Sequence, residues 1–127
     1  MRIDRLIEAV ERTGNPSVLG LDPQPDYLPQ SLQNTLPPEN ERTNEQTAQA
    51  IYSFNCALID ALCDIVPCAK LQAAWYEVLG PEGMLLFRNT LLYARQKGMS
   101  TIADVKRNDI GISAEAYAAC YFGEKAP

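Results

Sequence analysis

Short apolar segments alternate with longer amphipathic segments along this chain, and this alternation is what most constrains its fold. The predicted strands are residues 17–22, 65–72 and 99–106. The predicted helices are residues 2–13, 43–63, 80–97 and a last helix with Ser113 as its N-cap. Strands that alternate with helices pair in parallel through right-handed crossovers. We therefore expect an α/β fold with a parallel sheet, and a long loop over residues 23–41.

The composition is that of a globular protein, and it excludes several classes of function. Of the 127 residues, 46% are hydrophobic and the formal net charge is −5. A nucleic-acid partner needs a basic surface and is therefore not expected. The sequence has no run of about 18 apolar residues, so we expect no membrane-spanning segment. Its first residues lack the apolar block of a signal peptide, which makes the cytoplasm the expected location.

The absence of histidine and the spacing of the cysteines narrow the chemistry further. Without histidine, Ser-His-Asp catalysis, Cys-His catalysis and His-ligated zinc are excluded within these residues. Proton transfer would fall to lysine, carboxylate or tyrosine side chains. None of the four cysteines has a partner at Cys-x-x-Cys spacing, which disfavours a zinc or dithiol site. We interpret Cys56 and Cys63, which are seven residues apart on one predicted helix, as buried small apolar side chains, and reduced thiols fit a cytoplasmic location.

Each predicted strand carries polar residues near its C-terminal end. These are Asp22 on the first strand, Lys70 and Gln72 on the second, and Asp104 and Lys106 on the third. Alternate residues of a strand share a face, so Asp104 and Lys106 should point the same way. The C-terminal ends of parallel strands carry the active sites of α/β folds. An ordinary solvated turn after each strand is the alternative interpretation.

Four motifs, in order along the chain, carry a resemblance to one enzyme family. The segment Asp104-Val-Lys-Arg-Asn-Asp-Ile110 resembles the D-x-K-x-x-D-I signature of orotidine 5′-phosphate decarboxylase. The segment Leu19-Gly-Leu-Asp-Pro23 resembles the first-strand motif of that family. Two further segments, Lys70–Glu77 and Ile110–Ala118, are similar to motifs of its longer bacterial and mycobacterial branch. The similarity extends from about Asp4 to Phe122.

The resemblance implies a fold, a reaction and roles for individual residues. It implies a TIM (β/α)8 barrel that converts orotidine 5′-monophosphate to UMP and CO₂, the last step of UMP biosynthesis, without a metal or organic cofactor. The implied catalytic array is Lys70, Asp104, Lys106 and Asp109. The implied substrate-binding residues are Asp22 at the ribose hydroxyls, with Gln72, Ile110 and Ser113. In the family the last aspartate of the array, here Asp109, enters the partner subunit's site, so the resemblance also implies a homodimer.

The chain is short for the fold that the resemblance implies. A TIM barrel typically needs about 250 residues and eight strands, whereas only three strands and an N-terminal helix are predicted here. We therefore expect residues 1–127 to be the N-terminal part of a single barrel domain. The family's phosphate-binding loop and its arginine would lie beyond Pro127. As a free fragment, the chain is expected to have very weak activity or none.

Three other interpretations remain open at this stage. A metal-dependent sugar-acid-phosphate decarboxylase of the same superfamily shares the D-x-K-x-x-D motif, but it carries an acidic residue where this chain has Lys70, and it binds magnesium. A catalytically inert half-barrel, acting as a dimerisation module, is the non-enzymatic alternative. A flavodoxin-like binding domain is disfavoured because no phosphate-binding glycine motif follows the first strand.

Overall fold

Three parallel strands in the order β1-β2-β3 form the sheet around which this chain folds. The computed structural model describes residues 2–124 and 126. The strands are β1 (Val18–Gly20), β2 (Cys68–Gln72) and β3 (Ser100–Asp104). The helices are α1 (Arg2–Thr13), α2 (Gln30–Gln33), α3 (Asn44–Leu62), α4 (Ala74–Glu77), α5 (Gly80–Gln96) and α6 (Gly111–Phe122). Single 3-10 turns at Pro25–Tyr27 and Glu39–Glu41 interrupt the predicted long loop.

Local sequence explains where the second strand and its preceding helix start. Helix α3 begins with the predicted capping box. Thr43 Oγ1 accepts the Gln46 N–H (3.1 Å), and Gln46 Oε1 accepts the Thr43 N–H (3.0 Å). Strand β2 begins directly after Pro67, which has no N–H to donate to a ladder, but the Pro67 carbonyl still accepts the Ser100 N–H (2.9 Å). The strand is therefore shorter at its start than the predicted range 65–72.

The core lies between the sheet and the pair of helices α3 and α5. Ile51 and Ile59 of α3 and Leu71 of β2 are completely buried, and Phe87 of α5 is 1% exposed. Phe87 also packs edge-on against the buried ring of Tyr76, with the ring centroids 5.2 Å apart. Burial of such side chains is the main stabilising contribution to a domain of this size.

Two predicted boundaries near the end of the chain are wrong. Strand β3 ends at Asp104, and Lys106 adopts a left-handed backbone conformation with φ +48°. Because an extended strand cannot pass through that conformation, Lys106 lies in a loop and does not share a strand face with Asp104. Helix α6 begins at Gly111 with Ile110 as its N-cap, so Ser113 lies inside the first turn. The Asp109 carboxylate accepts the Ile110 N–H (2.8 Å) and turns the chain into the helix before Ser113.

The side of the fold that contains β3 and α6 is less covered than the side that contains α3 and α5. No residue of α6 is buried. Ile110 and Ile112 at its start are 87% and 82% exposed. The face of β3 that carries Ile102 is also partly open, with Ile102 41% exposed. Across residues 2–124 no helix combines the length and the apolarity needed to cross a membrane.

Candidate active site

The polar residues at the strand ends come together at one end of the sheet. Asp22 lies two residues beyond β1, Lys70 and Gln72 lie in β2, and Asp104 is the last residue of β3. Gln72 pairs in register with Asp104, so both side chains lie on the same face. Lys70 is on that face as well, two residues before Gln72. Helices α3 and α5 pack on the opposite face, where Leu71 is completely buried.

Asp22 is held by β2 through both of its carboxylate oxygens. Oδ2 accepts a hydrogen bond from Lys70 Nζ at 2.8 Å, and Oδ1 accepts the backbone N–H of Gln72 at 2.9 Å. The side chains of Asp22 and Lys70 are 30% and 31% exposed. An ion pair of this exposure contributes about 1 kcal/mol or less to stability. Its consequence is geometric, because it joins the ends of β1 and β2 and orients an ammonium group beside a carboxylate.

A second ion pair lies at the end of β3. Lys106 Nζ is 2.5 Å from Asp104 Oδ1, and the Lys106 side chain is 68% exposed while that of Asp104 is 27% exposed. The Asp104 carbonyl accepts the Ala73 N–H at 3.0 Å, which continues the β2–β3 contact beyond the ladder. The hydrogen bond of Lys70 thus goes to Asp22 and that of Lys106 goes to Asp104. Asp109 is in neither ion pair, so direct contacts do not join the predicted array of Lys70, Asp104, Lys106 and Asp109 within this chain, and the array stays a prediction.

The remaining predicted site residues lie farther along the chain and are exposed. Asp109 is in the loop between β3 and α6, where its carboxylate accepts the N–H of the neighbouring Ile110. Ile110 and Ser113 lie at the start of α6 and are exposed. The role of Asp109 in a partner subunit, and of Ile110 and Ser113 in lining a shared pocket, stays a prediction.

An open cavity of about 1150 Å³ lies between β3 and α6. Its lining includes Asp104, Lys106 and Asp109, but not Asp22 or Lys70. The cavity follows the edge of β3 and includes the end of that strand, but it does not extend to the ends of β1 and β2. For this reason we place the candidate site at the strand ends, where both ion pairs lie. Among residues 2–124 no group of three or more acidic, cysteine or histidine side chains is arranged to hold a metal ion.

A buried polar cluster supports the end of β1, and sequence reasoning did not identify it. The Tyr76 hydroxyl donates a 2.6 Å hydrogen bond to the Leu21 carbonyl, the residue directly before Asp22. Asn55 Nδ2 donates to the Tyr76 hydroxyl (3.3 Å) and to Thr90 Oγ1 (3.4 Å). Burial raises the pKa of Tyr76 far above its usual range, so the hydroxyl stays a neutral donor. The sequence offers no short-range signal for a contact between residues 55 positions apart.

A second unpredicted contact joins the loop after β3 to the short helix α4. The Arg107 guanidinium donates to the Glu77 carboxylate through Nη2 and to the Val105 carbonyl through Nη1 at 3.0 Å. Both residues fall inside motifs singled out in the sequence, which was the available signal. Their pairing was not predicted because they are 30 residues apart.

Comparisons with known proteins find relatives among the orotidine 5′-phosphate decarboxylases. No protein-family model matches the chain. An orotidine 5′-phosphate decarboxylase from Rhodopirellula baltica is 42% identical over 123 residues, which are 97% of this chain and 40% of that protein. One from Clostridium botulinum strain Loch Maree is 43% identical over 122 residues, 96% of this chain and again 40% of the relative. The chain therefore spans about 40% of the length of the curated relatives it matches.

Solved structures agree with the sequence comparison. A Streptomyces avermitilis protein assigned as an orotidine 5′-phosphate decarboxylase superposes with a TM-score of 0.69 and 27% identity, over 92% of this chain and 37% of its own. UMP synthase from Leishmania donovani has a TM-score of 0.70 at 24% identity, over 98% of this chain and 23% of its own, and shows the fold alone. The predicted α/β barrel-type architecture with a parallel sheet is confirmed. Over nearly its whole length, this chain is homologous to an N-terminal portion of the orotidine 5′-phosphate decarboxylases.

Proposed function

We propose that this chain forms the first three βα units of an orotidine 5′-phosphate decarboxylase and carries the charged groups of its reaction. The observation that carries the proposal is the presence of two ion pairs at the same end of the parallel sheet. One is Asp22 with Lys70, and the other is Asp104 with Lys106. In βα-barrels that end of the strands carries the active site. The proposed product is UMP, formed by loss of CO₂ from orotidine 5′-monophosphate.

The proposed chemistry follows from the residue types. The bond between C6 of the pyrimidine and its carboxylate breaks, CO₂ leaves, and the electron pair stays on C6 in an orbital that the ring cannot easily delocalise. A preorganised ammonium group beside C6 stabilises that developing charge in the transition state. Lys106 is the proposed ammonium group, and the proton that replaces the carboxylate passes from its Nζ to C6. Asp104, 2.5 Å from that nitrogen, orients the lysine.

The other site residues are proposed to bind and orient the substrate. Asp22 is placed at the ribose hydroxyls, with Lys70 holding its carboxylate. Gln72 lies beside Asp104 in register and is placed along the pyrimidine. In the proposed homodimer Asp109 completes the charged array of the partner subunit's site, and Ile110 and Ser113 line the same pocket. Their exposure in the single chain is compatible with contacts to a second subunit.

Grafting this chain into a homologous enzyme tests the proposal directly. The 40% of the Rhodopirellula baltica relative that matches this chain is replaced by residues 1–124, which supplies the remainder of a barrel. The expected result is conversion of orotidine 5′-monophosphate to UMP without added metal. The control is the same graft with Asp104→Asn and Lys106→Ala, which is expected to lose turnover.

Two results of the graft experiment would contradict the proposal. One is a graft that unfolds cooperatively, and so is folded, but does not turn over orotidine 5′-monophosphate. The other is turnover of a sugar-acid phosphate that requires magnesium, which would favour the metal-dependent branch of the superfamily. Lys70 argues against that branch because an ammonium group repels a divalent cation at the strand end.

A further inference from the structure

The loop that carries Lys106 contains a left-handed backbone conformation, which other contacts must stabilise. We call residues 105–109, between β3 and α6, the charged loop. Within the described part of the chain, Lys106 is the single non-glycine residue with a positive φ, at +48°. Such a backbone conformation is unfavourable for a residue with a Cβ atom and persists where surrounding contacts hold it. The side chain of Lys106 is 68% exposed, so its own packing supplies little of that support.

Arg107 supplies contacts on both sides of this residue. Its Nη1 donates to the carbonyl of Val105 at 3.0 Å, directly before Lys106. Its Nη2 donates to the carboxylate of Glu77. A planar guanidinium group with several fixed donors is suited to hold two acceptors at once, which a lysine ammonium group does less precisely. The Arg107 and Glu77 side chains are 33% and 37% exposed, so both are about two-thirds covered.

Glu77 is itself fixed relative to the end of β3. Its backbone N–H donates to the Ala73 carbonyl at 2.9 Å, and the Ala73 N–H donates to the Asp104 carbonyl at 3.0 Å. These bonds close a ring of contacts that runs from Asp104 through Ala73 and Glu77 to Arg107 and back along the charged loop. Asp104 and Arg107, which flank Lys106, are therefore both bonded to the segment 73–77, which contains α4.

We propose that Glu77 and Arg107 are positioning residues for Lys106, and this rests on the proposed function. In this proposal the ion pair acts through Lys106 and not through direct contact with the substrate. It holds the charged loop so that the Lys106 ammonium group stays at the end of β3 beside Asp104. A partly exposed ion pair by itself stabilises a protein little. Its effect is expected in the rate of the reaction, because small displacements of a catalytic group reduce turnover strongly.

The first test measures the backbone conformation of Lys106 in the charged loop and does not depend on catalytic activity. Arg107→Gln, Glu77→Gln and the control Arg88→Gln are made in the 127-residue chain. Arg88 is exposed on α5. The one-bond coupling between the α carbon and the α proton of Lys106 distinguishes a positive from a negative φ angle by NMR. We expect both variants of the pair to shift this coupling toward an averaged value, and the control to match the unsubstituted chain. An unchanged coupling in both would overturn the proposal.

The second test measures catalysis in the graft with the Rhodopirellula baltica relative. Each single variant is expected to lower kcat about tenfold with KM nearly unchanged. The double variant should be no slower than the slower single variant, because both changes remove the same contact. Arg107→Lys keeps the positive charge but loses the planar guanidinium group, so its kcat should lie between those of the unsubstituted graft and Arg107→Gln. The proposal would be overturned by a normal kcat in either single variant or by a change in KM alone. It would also be overturned if the loss of kcat in the double variant equalled the product of the two single losses.

The two tests separate failure of this inference from failure of the proposed function. If the unsubstituted graft is folded and does not decarboxylate the nucleotide, the proposed function is wrong, and the Lys106 coupling still decides whether the ion pair holds the loop. If the graft is active and the variants match it, the function stands and the positioning role is wrong. Thermal unfolding of each variant, compared with Arg88→Gln, shows whether lost turnover is loss of fold.

Discussion

Two regions of this molecule differ in how they hold their share of the candidate site. The packed half consists of β1, β2, α3, α4 and α5, and the open half consists of β3, the charged loop and α6. In the packed half Tyr76 is completely buried and supports the residue before Asp22 through a 2.6 Å hydrogen bond. In the open half no residue of α6 is buried. Lys106 and Asp109 are therefore positioned by short polar contacts and not by a core.

The difference has a simple physical origin in the number of partners that each element has. Strand β2 has a strand on each side, and helices α3 and α5 cover one of its faces. Strand β3 pairs only with β2 among the described residues. Helix α6 contributes apolar residues such as Ile112 and Phe122, which are 82% and 75% exposed. Apolar surface of this kind stabilises a fold only when another surface removes it from water.

The largest expected difference between the two halves comes from truncating one large apolar side chain in each of them. Phe87→Ala removes a ring that is 1% exposed and packs on Tyr76, and it should lower the free energy of unfolding by about 3–5 kcal/mol. Ile112→Ala on α6 is expected to change it by about 0.5 kcal/mol or less. Urea unfolding followed by circular dichroism measures both. Similar losses for the two variants would mean that the open half also has a core.

A smaller effect is expected from removing one hydroxyl group in the packed half. Tyr76→Phe removes the side-chain donor to the Leu21 carbonyl and one of the two acceptors of the Asn55 amide, at a cost of about 1–3 kcal/mol. The matched control is Tyr93→Phe, which removes an exposed hydroxyl that donates to Asp60 at 2.9 Å and should cost less. Urea unfolding again measures both, and a larger loss for Tyr93→Phe would contradict the supporting role of the buried cluster.

Errors in the predicted strand boundaries occur in both halves, since β1 (Val18–Gly20) and β2 (Cys68–Gln72) are also shorter than predicted. The capping box at Thr43 and the order of strands and helices were predicted correctly, because short-range patterns determine them. The end of β3 and the start of α6 were wrong. Both depend on the backbone of Lys106 and on the carboxylate of Asp109, which no periodicity reveals. Grouping the polar residues at one sheet end succeeded because parallel strands place their C-terminal ends together.

Contacts between distant residues were the part that the sequence could not predict. The hydrogen bond from Tyr76 to Leu21 joins residues 55 positions apart. The ion pair between Arg107 and Glu77 spans 30 positions. A single sequence identifies each of these residues as polar but does not indicate which of many partners it meets. Asp109 is also predicted to make a long-range contact, in the site of a second subunit, and that role stays a prediction.

The measurement that tests the central claim most directly is the turnover of the graft with Lys106→Ala. Lys106 is proposed to stabilise the carbanion and to supply its proton, so its loss should lower kcat for orotidine 5′-monophosphate by about 100-fold or more. The matched control Arg88→Ala, an exposed cation on α5, should keep the turnover of the unsubstituted graft. Unchanged turnover in a folded Lys106→Ala graft would contradict the account.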